Sequence, residues 1–182
     1  MVRLACFVSA TPCFCSVCMK RVKLSKRLMA LAEMIEKDAS VADIGTDHGH
    51  LPVFLAQTGV VKRIIASDIS AASLAAARNS AEAYDVPELI TFLVTPGLEG
   101  ITHTDADTVV IAGLGGETIL GILEDAPWTK YHHVTLILQP QSKIDLLCRF
   151  LYDNGYEILQ TKSVKDKGKY YTVILVTGGK GI

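Results

Sequence analysis

Two carboxylates and two glycines alternate near the start of the apolar body of this chain, at a spacing that suits a charged small molecule. Asp43 and Asp47 alternate with Gly45 and Gly49 between a short apolar strand and a helical pattern. Glycine lets the backbone approach a ligand closely, but this spacing is G-x-x-x-G, whereas a pyrophosphate site needs G-x-G-x-x-G. The carboxylates repel a diphosphate and attract an ammonium or a sulfonium. The turn therefore predicts an S-adenosylmethionine site that includes His48; a strand-turn-helix without a ligand is the alternative.

Another acidic residue ends the next apolar segment. Asp68 follows residues 63–67 and lies about twenty residues beyond the glycine turn, where nucleotide-binding α/β folds place the carboxylate that binds ribose hydroxyls. The alternative role is that of a helix N-cap, although Ser70 can cap the following helix without it. We therefore predict that Asp68 binds the ribose and that Ile69 beside it also contacts the cofactor.

Two further turns follow apolar strands, at 95–98 and 112–116. Ligands of open parallel sheets bind at the carboxyl ends of the strands, so all these turns should meet in one cleft. The glycines of the second turn predict an open floor, with close helix–strand packing as the alternative. The basic residues at 20–27 are either a phosphate contact or a solvated face. The predicted cofactor residues here are Pro96, Gly97, Leu98, Ala112 and Gly113; the predicted acceptor-binding residues are Gly115, Gly116, Gln139, Pro140, Lys26 and Arg27.

Strands and helices alternate along the chain in a way that would position these turns. Five strand–helix units and a hairpin over 156–176 predict a sheet of about seven strands, parallel except near the end, with helices on both faces. We expect a first helix over 20–37 with Ser25 as its N-cap, and a last helix over 143–154 capped by Ser142. The predicted fold class is α/β and Rossmann-like.

Composition limits the classes of function. The chain has 182 residues, 49% of them hydrophobic and 20% charged, which fits one globular domain. Its net charge of −1 gives no global basic field for nucleic acid, so any RNA contact must come from a local patch. We expect a cytoplasmic protein, a monomer or a weak dimer, without a membrane segment.

The first eighteen residues differ from the rest of the chain. They hold four of the five cysteines, Cys6, Cys13, Cys15 and Cys18, while only Cys148 lies in the body. No second pair follows the C-x-x-C at zinc-finger spacing, so we expect no metal and no disulfide framework. We interpret 1–18 as a leader that is disordered or lies upstream of a true start at Met19, and 19–182 as the functional domain.

Four motifs, LSKRL, ADIGTDHGHLP, IAGLGGE and LILQPQ, occur in this order at residues 24–28, 42–52, 111–117 and 136–141. In sequence and spacing they resemble the bacterial tRNA methyltransferases that modify N1 of adenine 22, and the resemblance covers roughly residues 23–176. The resemblance implies a class I methyltransferase that uses S-adenosylmethionine on an adenine in the D-arm of tRNA. The family usually continues past the hairpin into a helical domain that helps to hold tRNA. Because the sequence ends at Ile182, we expect that domain to be missing and tRNA binding to be weak.

Methyl transfer to adenine N1 requires few catalytic side chains. Adenine N1 carries its own lone pair, so no strong base is needed, but a carboxylate should stabilise the positive charge that moves onto the base. Asp47 is the first candidate for that carboxylate and Glu117 the second. His48 and His50 either orient the base or serve the structure.

Other classes of function stay open at this point. A nicotinamide dehydrogenase is disfavoured by the absent G-x-G-x-x-G motif. A methyltransferase that acts on a protein or a small molecule would have the same cofactor-binding residues, so these residues do not identify the acceptor. A non-catalytic Rossmann-fold protein that binds cofactor or RNA is the third alternative.

Overall fold

The computed structural model describes residues 20–131 and 133–179, which form a seven-stranded sheet. Its strand order is β3-β2-β1-β4-β5-β7-β6, where the labels follow the chain. Neighbours from β3 to β5 are parallel, and β7 is antiparallel to both β5 and β6. The predicted sheet is confirmed. The strands are β1 Ser40–Ile44, β2 Arg63–Asp68, β3 Thr91–Val94, β4 Thr108–Leu114, β5 Thr135–Pro140, β6 Glu157–Asp166 and β7 Lys169–Thr177.

Helices cover both faces of the sheet and bury two apolar cores. Along β4, Val109 and Ile111 point into one core and Val110 into the other, as the two-residue period of a strand requires. The first core also contains residues of α4 and α5, and the second contains residues of α1, α2 and α3. The helices are α1 Lys26–Ala32, α2 His50–Thr58, α3 Ala71–Ala83, α4 Gly116–Glu124 and α5 Ile144–Asp153, with 3-10 turns at Pro87–Leu89 and Pro127–Lys130.

The first helix is shorter than the predicted 20–37. Ser25 is its N-cap, as predicted, and its hydroxyl accepts a hydrogen bond from the Leu28 amide at 3.3 Å. The preceding segment is not helical because Gln57 of α2 holds it: the Val22 amide donates to Gln57 Oε1 at 2.9 Å, and Gln57 Nε2 donates to the Lys20 carbonyl at 2.8 Å. A side chain distant in sequence thus competes with helix formation.

The predicted cap of the last helix is wrong. Lys143 is the N-cap residue of α5, with a left-handed φ of 54°. Ser142 instead uses its carbonyl oxygen to accept the Gly116 amide at 2.9 Å, which ties the start of α4 to the end of β5. Gly155 follows α5 with φ 78°, in agreement with the predicted end of that helix.

The C-terminal hairpin turns through Lys167 and Gly168, whose φ values of 46° and 80° are those of a tight two-residue turn. Its outer strand β6 packs beneath α1, where Lys162 Nζ lies 2.7 Å from Glu33 Oε2. Across 20–131 and 133–179, no helix has the length and apolarity needed to cross a membrane. The predicted leader 1–18 and Met19 lie outside the described residues.

Candidate functional site

The carboxyl ends of β1, β2 and β4 and the turn after β3 open onto one cavity of about 600 Å³. This is the edge of the sheet where the sequence predicts a cleft. Most of the predicted cofactor residues line it, and their roles there remain predictions. Those in the lining are Asp43, Gly45, Asp47, His48, Asp68, Ile69, Pro96, Gly97, Ala112 and Gly113, together with Arg27 from the predicted acceptor set.

The turn after β1 is held over the end of β2 by backbone hydrogen bonds. The amides of Gly45 and Thr46 donate to the Ser67 carbonyl at 2.9 and 3.0 Å. Gly49 has a φ of 67° and does not line the cavity. A Cβ there would lie 2.8 Å from Ala77 Cβ, so Gly49 lets the turn pack against α3. Its predicted cofactor contact remains a prediction, and the contact that the structure shows at Gly49 is the packing against Ala77.

Asp68 organises the turn and also faces the cavity. Its Oδ1 accepts the Ser70 amide at 2.9 Å, and its Oδ2 accepts the Asp47 amide at 3.2 Å. Asp68 is not the helix N-cap considered as an alternative: that residue is Ser70, whose hydroxyl accepts the Ser73 amide at 3.2 Å. The bond from Asp47 fixes that residue in its left-handed conformation of φ 53°. Each carboxylate oxygen has another lone pair, so Asp68 can still accept hydrogen bonds from ribose hydroxyls.

Asp43 is the buried acid of the site, with 6% of its surface exposed. Burial raises its pKa to about 6, nearby Asp68 adds to the increase, and Thr46 and Arg27 oppose it. Thr46 Oγ1 donates to Asp43 Oδ2 at 2.7 Å. A cationic ligand group beside Asp43 would favour its ionised form and lower its pKa again.

Arg27 reaches the cavity from the start of α1. Its Nη1 donates to Gln139 Oε1 at 2.7 Å, and its guanidinium carbon lies 5.6 Å from the centre of the Tyr171 ring. Gln139 is fully buried, and its Nε2 donates to the Pro140 carbonyl at 2.9 Å. Gln139 and Pro140 do not line the cavity, and their predicted acceptor contacts remain predictions. In the structure Gln139 positions Arg27.

Only the first glycine of the turn after β4 forms the cavity floor. Gly113, with φ 84°, lies in the irregularity of the β4–β5 pairing between Ala112 and Leu114. Gly115 and Gly116 are outside the lining, and their predicted acceptor contacts remain predictions. A Cβ on Gly116 would lie 2.6–2.7 Å from two carbonyl oxygens of the β5–α5 connection, so the helix–strand packing alternative holds there.

Three further predicted residues lie away from the cavity. Glu117 is exposed in the first turn of α4, and Lys26 is exposed on α1. Leu98 is 5% exposed and packs in the apolar core. Of the two candidate carboxylates, the cavity therefore retains Asp47, an exposed side chain whose Oδ1 is 3.9 Å from His48 Nε2.

The cavity also has walls that sequence reasoning did not assign to the site. Ile122 of α4 lies over Gly97, with side-chain carbons 3.1–3.3 Å from the position of a Cβ there. The apolar pattern of α4 predicts core packing for such a residue and gives no signal of a ligand. The remaining lining residues are His50, a candidate for orienting the base, Thr95 of the predicted turn 95–98, and Leu28, Ile44, Thr46, Leu51, Leu114, Thr118 and Gln141.

The sequence of this chain is similar to those of known methyltransferases. Residues 24–174 match the family model of a methyltransferase domain. The tRNA (adenine(22)-N(1))-methyltransferase of Bacillus subtilis (strain 168) is 33% identical over 161 residues, which cover 88% of this chain and 68% of that protein.

Solved structures agree with this relationship. Sp1610 of Streptococcus pneumoniae, in complex with S-adenosyl-L-methionine, has a TM-score of 0.80 at 33% identity. The match covers 88% of this chain and 75% of the Sp1610 chain. M. capricolum TrmK, in complex with S-adenosyl-homocysteine, has a TM-score of 0.75 at 29% identity. The match covers 86% of this chain and 70% of the M. capricolum chain. The chain therefore belongs to the tRNA (adenine(22)-N(1))-methyltransferase family.

Proposed function

We propose that this protein transfers a methyl group from S-adenosylmethionine to N1 of adenine 22 in a tRNA. The observation that carries the proposal is one cavity in which Asp43, Asp68 and Arg27 lie at the carboxyl edge of the sheet, in a member of this family. The cavity volume of about 600 Å³ is within the range of sites for ligands of drug size.

The nucleoside half of the cofactor matches one side of the cavity. Asp68 has free lone pairs for the ribose hydroxyls, and its position is fixed by two backbone amides. Pro96, Gly97 and Ile122 provide an apolar wall for the adenine. Ile122 lies close over Gly97, where a Cβ would be 3.1–3.3 Å from its side-chain carbons. These contacts would orient the ligand before reaction.

The amino-acid half needs charges of both signs, since it carries an ammonium and a carboxylate. Asp43 and Arg27 both line the cavity, and the charge of Arg27 opposes the rise in the pKa of Asp43. We assign Asp43 to the ammonium and Arg27 to the carboxylate. This assignment moves Arg27 from the acceptor set to the cofactor set.

Bound S-adenosylmethionine supplies an electrophilic methyl group on a sulfonium. The lone pair of adenine N1 forms the new N–C bond, while the electron pair of the broken C–S bond goes to sulfur. Positive charge moves onto the base, and the carboxylate of Asp47 lies at the cavity to stabilise it. No side chain has to remove a proton from N1.

The target base must leave any Watson–Crick pair, because pairing blocks N1. We place the target base over the backbone of Gly113, where the cavity floor has no side chain. A Cβ there would meet only the ends of the Arg27 and Gln141 side chains, 3.4 and 3.5 Å away, within the described residues. A planar ring can therefore approach the backbone of this turn closely.

A basic rim beside the cavity supports an RNA acceptor. The Arg27 amide lies 3.4 Å from Asp166 Oδ2, which places the hairpin tip next to the start of α1. The rim consists of exposed lysines from both elements: Lys26, Lys165, Lys167 and Lys169. Phosphate contacts by such residues would hold the backbone of the RNA while the base enters the site.

We further propose that the acceptor lies in the D-arm, that the enzyme acts in the cytoplasm and that it is a monomer or a weak dimer.

The proposal is tested by transfer of labelled methyl groups to tRNA transcripts, followed by nucleoside analysis. We expect N1-methyladenosine from a transcript with unpaired adenine 22, and none when position 22 is guanine or is forced into a stable pair. Calorimetry should detect S-adenosylhomocysteine and no NAD binding. Label on N6, on another position or on protein would refute the proposed acceptor while leaving cofactor binding intact.

A further inference from the structure

The reaction leaves only part of the adenine available for recognition. Because N1 attacks the methyl group, the Watson–Crick edge must face the cofactor. The base can then be distinguished through its other edge, where N6–H donates and N7 accepts. A side-chain amide matches this pair, since its oxygen accepts from N6 and its nitrogen donates to N7.

The two glutamines at the end of β5 differ in their freedom to make such contacts. Both hydrogen-bonding ends of Gln139 are used, by Arg27 and by the Pro140 carbonyl, and its side chain is buried. Gln141 is exposed and lines the cavity. Within 20–131 and 133–179 its side-chain amide has no hydrogen-bond partner, while its backbone amide is fixed by donation to the Leu114 carbonyl at 2.8 Å.

The position of Gln141 suits the acceptor base. Its Nε2 lies 3.5 Å from where a Cβ of Gly113 would be, at the opening of the cavity floor. The other polar group at this distance, Arg27 Nη1, is already directed to Gln139. A base over Gly113 would therefore meet the free amide of Gln141 at its edge.

We infer that Gln141 determines specificity for adenine, with Oε1 accepting from N6–H and Nε2 donating to N7. The inference rests on the proposed function and deepens it. Guanine offers an acceptor, O6, where adenine has N6, so it would oppose Oε1. The contact to N6 also places a partial negative charge beside the base as positive charge develops on it.

The experiment compares two tRNA transcripts, one with adenine and one with 7-deazaadenine at position 22. The second lacks the N7 acceptor but keeps N1 and N6. We measure kcat/KM for the unaltered protein and for Gln141→Leu, Gln141→Glu and Gln160→Leu. Gln160 is exposed on β6 and provides the matched control. Calorimetry with S-adenosylhomocysteine checks that all four proteins keep the cofactor site.

For the unaltered protein and the control we expect 7-deazaadenine to lower kcat/KM about tenfold, as loss of one specific base contact does. Gln141→Leu should lose at least as much on adenine and show no further loss on 7-deazaadenine, because the contact is already gone. Gln141→Glu should reverse the preference, since a carboxylate repels the N7 lone pair.

Two results would overturn the inference in distinguishable ways. If Gln141→Leu loses the same factor on 7-deazaadenine as the unaltered protein, Gln141 does not contact N7. If the unaltered protein binds S-adenosylhomocysteine but methylates neither transcript, the proposed function fails, and the inference fails with it.

Discussion

The buried carboxylate of Asp43 should make the stability of the ligand-free protein depend on pH. Its pKa rises from 3.8 to about 6 on folding, mainly because burial penalises the charged form. The folded protein therefore binds this proton more tightly than the unfolded chain. Its contribution to stability is present at low pH and is lost as the pH rises between about 4 and 6. A shift of about two units corresponds to roughly 3 kcal/mol at about 1.4 kcal/mol per unit.

The substitution Asp43→Asn tests this reasoning. The amide keeps an acceptor for Thr46 Oγ1 and removes the buried charge, so the unfolding free energy at pH 7 should rise by about 2 kcal/mol. Between pH 4 and 6 the variant should lose the part of the pH dependence that Asp43 supplies. Affinity for S-adenosylhomocysteine should fall, because the ligand ammonium loses its counter-charge.

Urea unfolding at half-unit pH steps, without ligand, provides the measurement, and calorimetry provides the affinities. Glu157→Gln, which removes an exposed carboxylate on β6, is the matched control and should change neither quantity. The same slope of unfolding free energy against pH in Asp43→Asn and in the unaltered protein would refute the assigned burial effect. Unchanged ligand affinity would remove Asp43 from the ammonium site.

Three further predictions concern the ligand contacts. Asp68→Ala should weaken S-adenosylhomocysteine binding by roughly 2–3 kcal/mol in calorimetry, through loss of charge-assisted hydrogen bonds; unchanged affinity would exclude the ribose contact. Asp47→Asn suits the left-handed backbone and should lower kcat by about tenfold with little change in cofactor affinity; an unchanged kcat would exclude charge stabilisation. Lys167→Ala with Lys169→Ala should reduce the salt slope of tRNA binding by about 1 to 2; an unchanged slope would exclude the hairpin from the RNA contact.

The sheet could be predicted from the sequence because its strands carry local signals. The apolar run that ends at Asp68 has the observed bounds of β2, and the hairpin turn has residues that adopt its positive φ values. The convergence of the ligand turns follows from parallel topology alone. These features depend on period, turn chemistry and strand direction, all of which can be read without tertiary contacts.

The sequence does not predict contacts between residues that are distant along the chain. Gly49 and Gly116 have the residue type of a ligand turn, and in the structure they pack closely against Ala77 and the β5–α5 connection. Gln139 and Gln141 have the same side chain two residues apart, and only the three-dimensional structure shows that one is buried against Arg27 and the other is free. Such distinctions require the neighbours of a residue in space.

Arg27 links the cavity to the far edge of the sheet. Its backbone amide lies 3.4 Å from the Asp166 carboxylate of the hairpin, and its guanidinium lies over Tyr171 of β7. The hairpin supplies no lining residue, yet it fixes one of the charges that we assign to the cofactor. A minimal cofactor-binding fragment could therefore not be cut after β5. A different hairpin grafted onto this core would have to preserve both contacts. A change in the hairpin that moves Arg27 would also change the position of its guanidinium in the cofactor cavity.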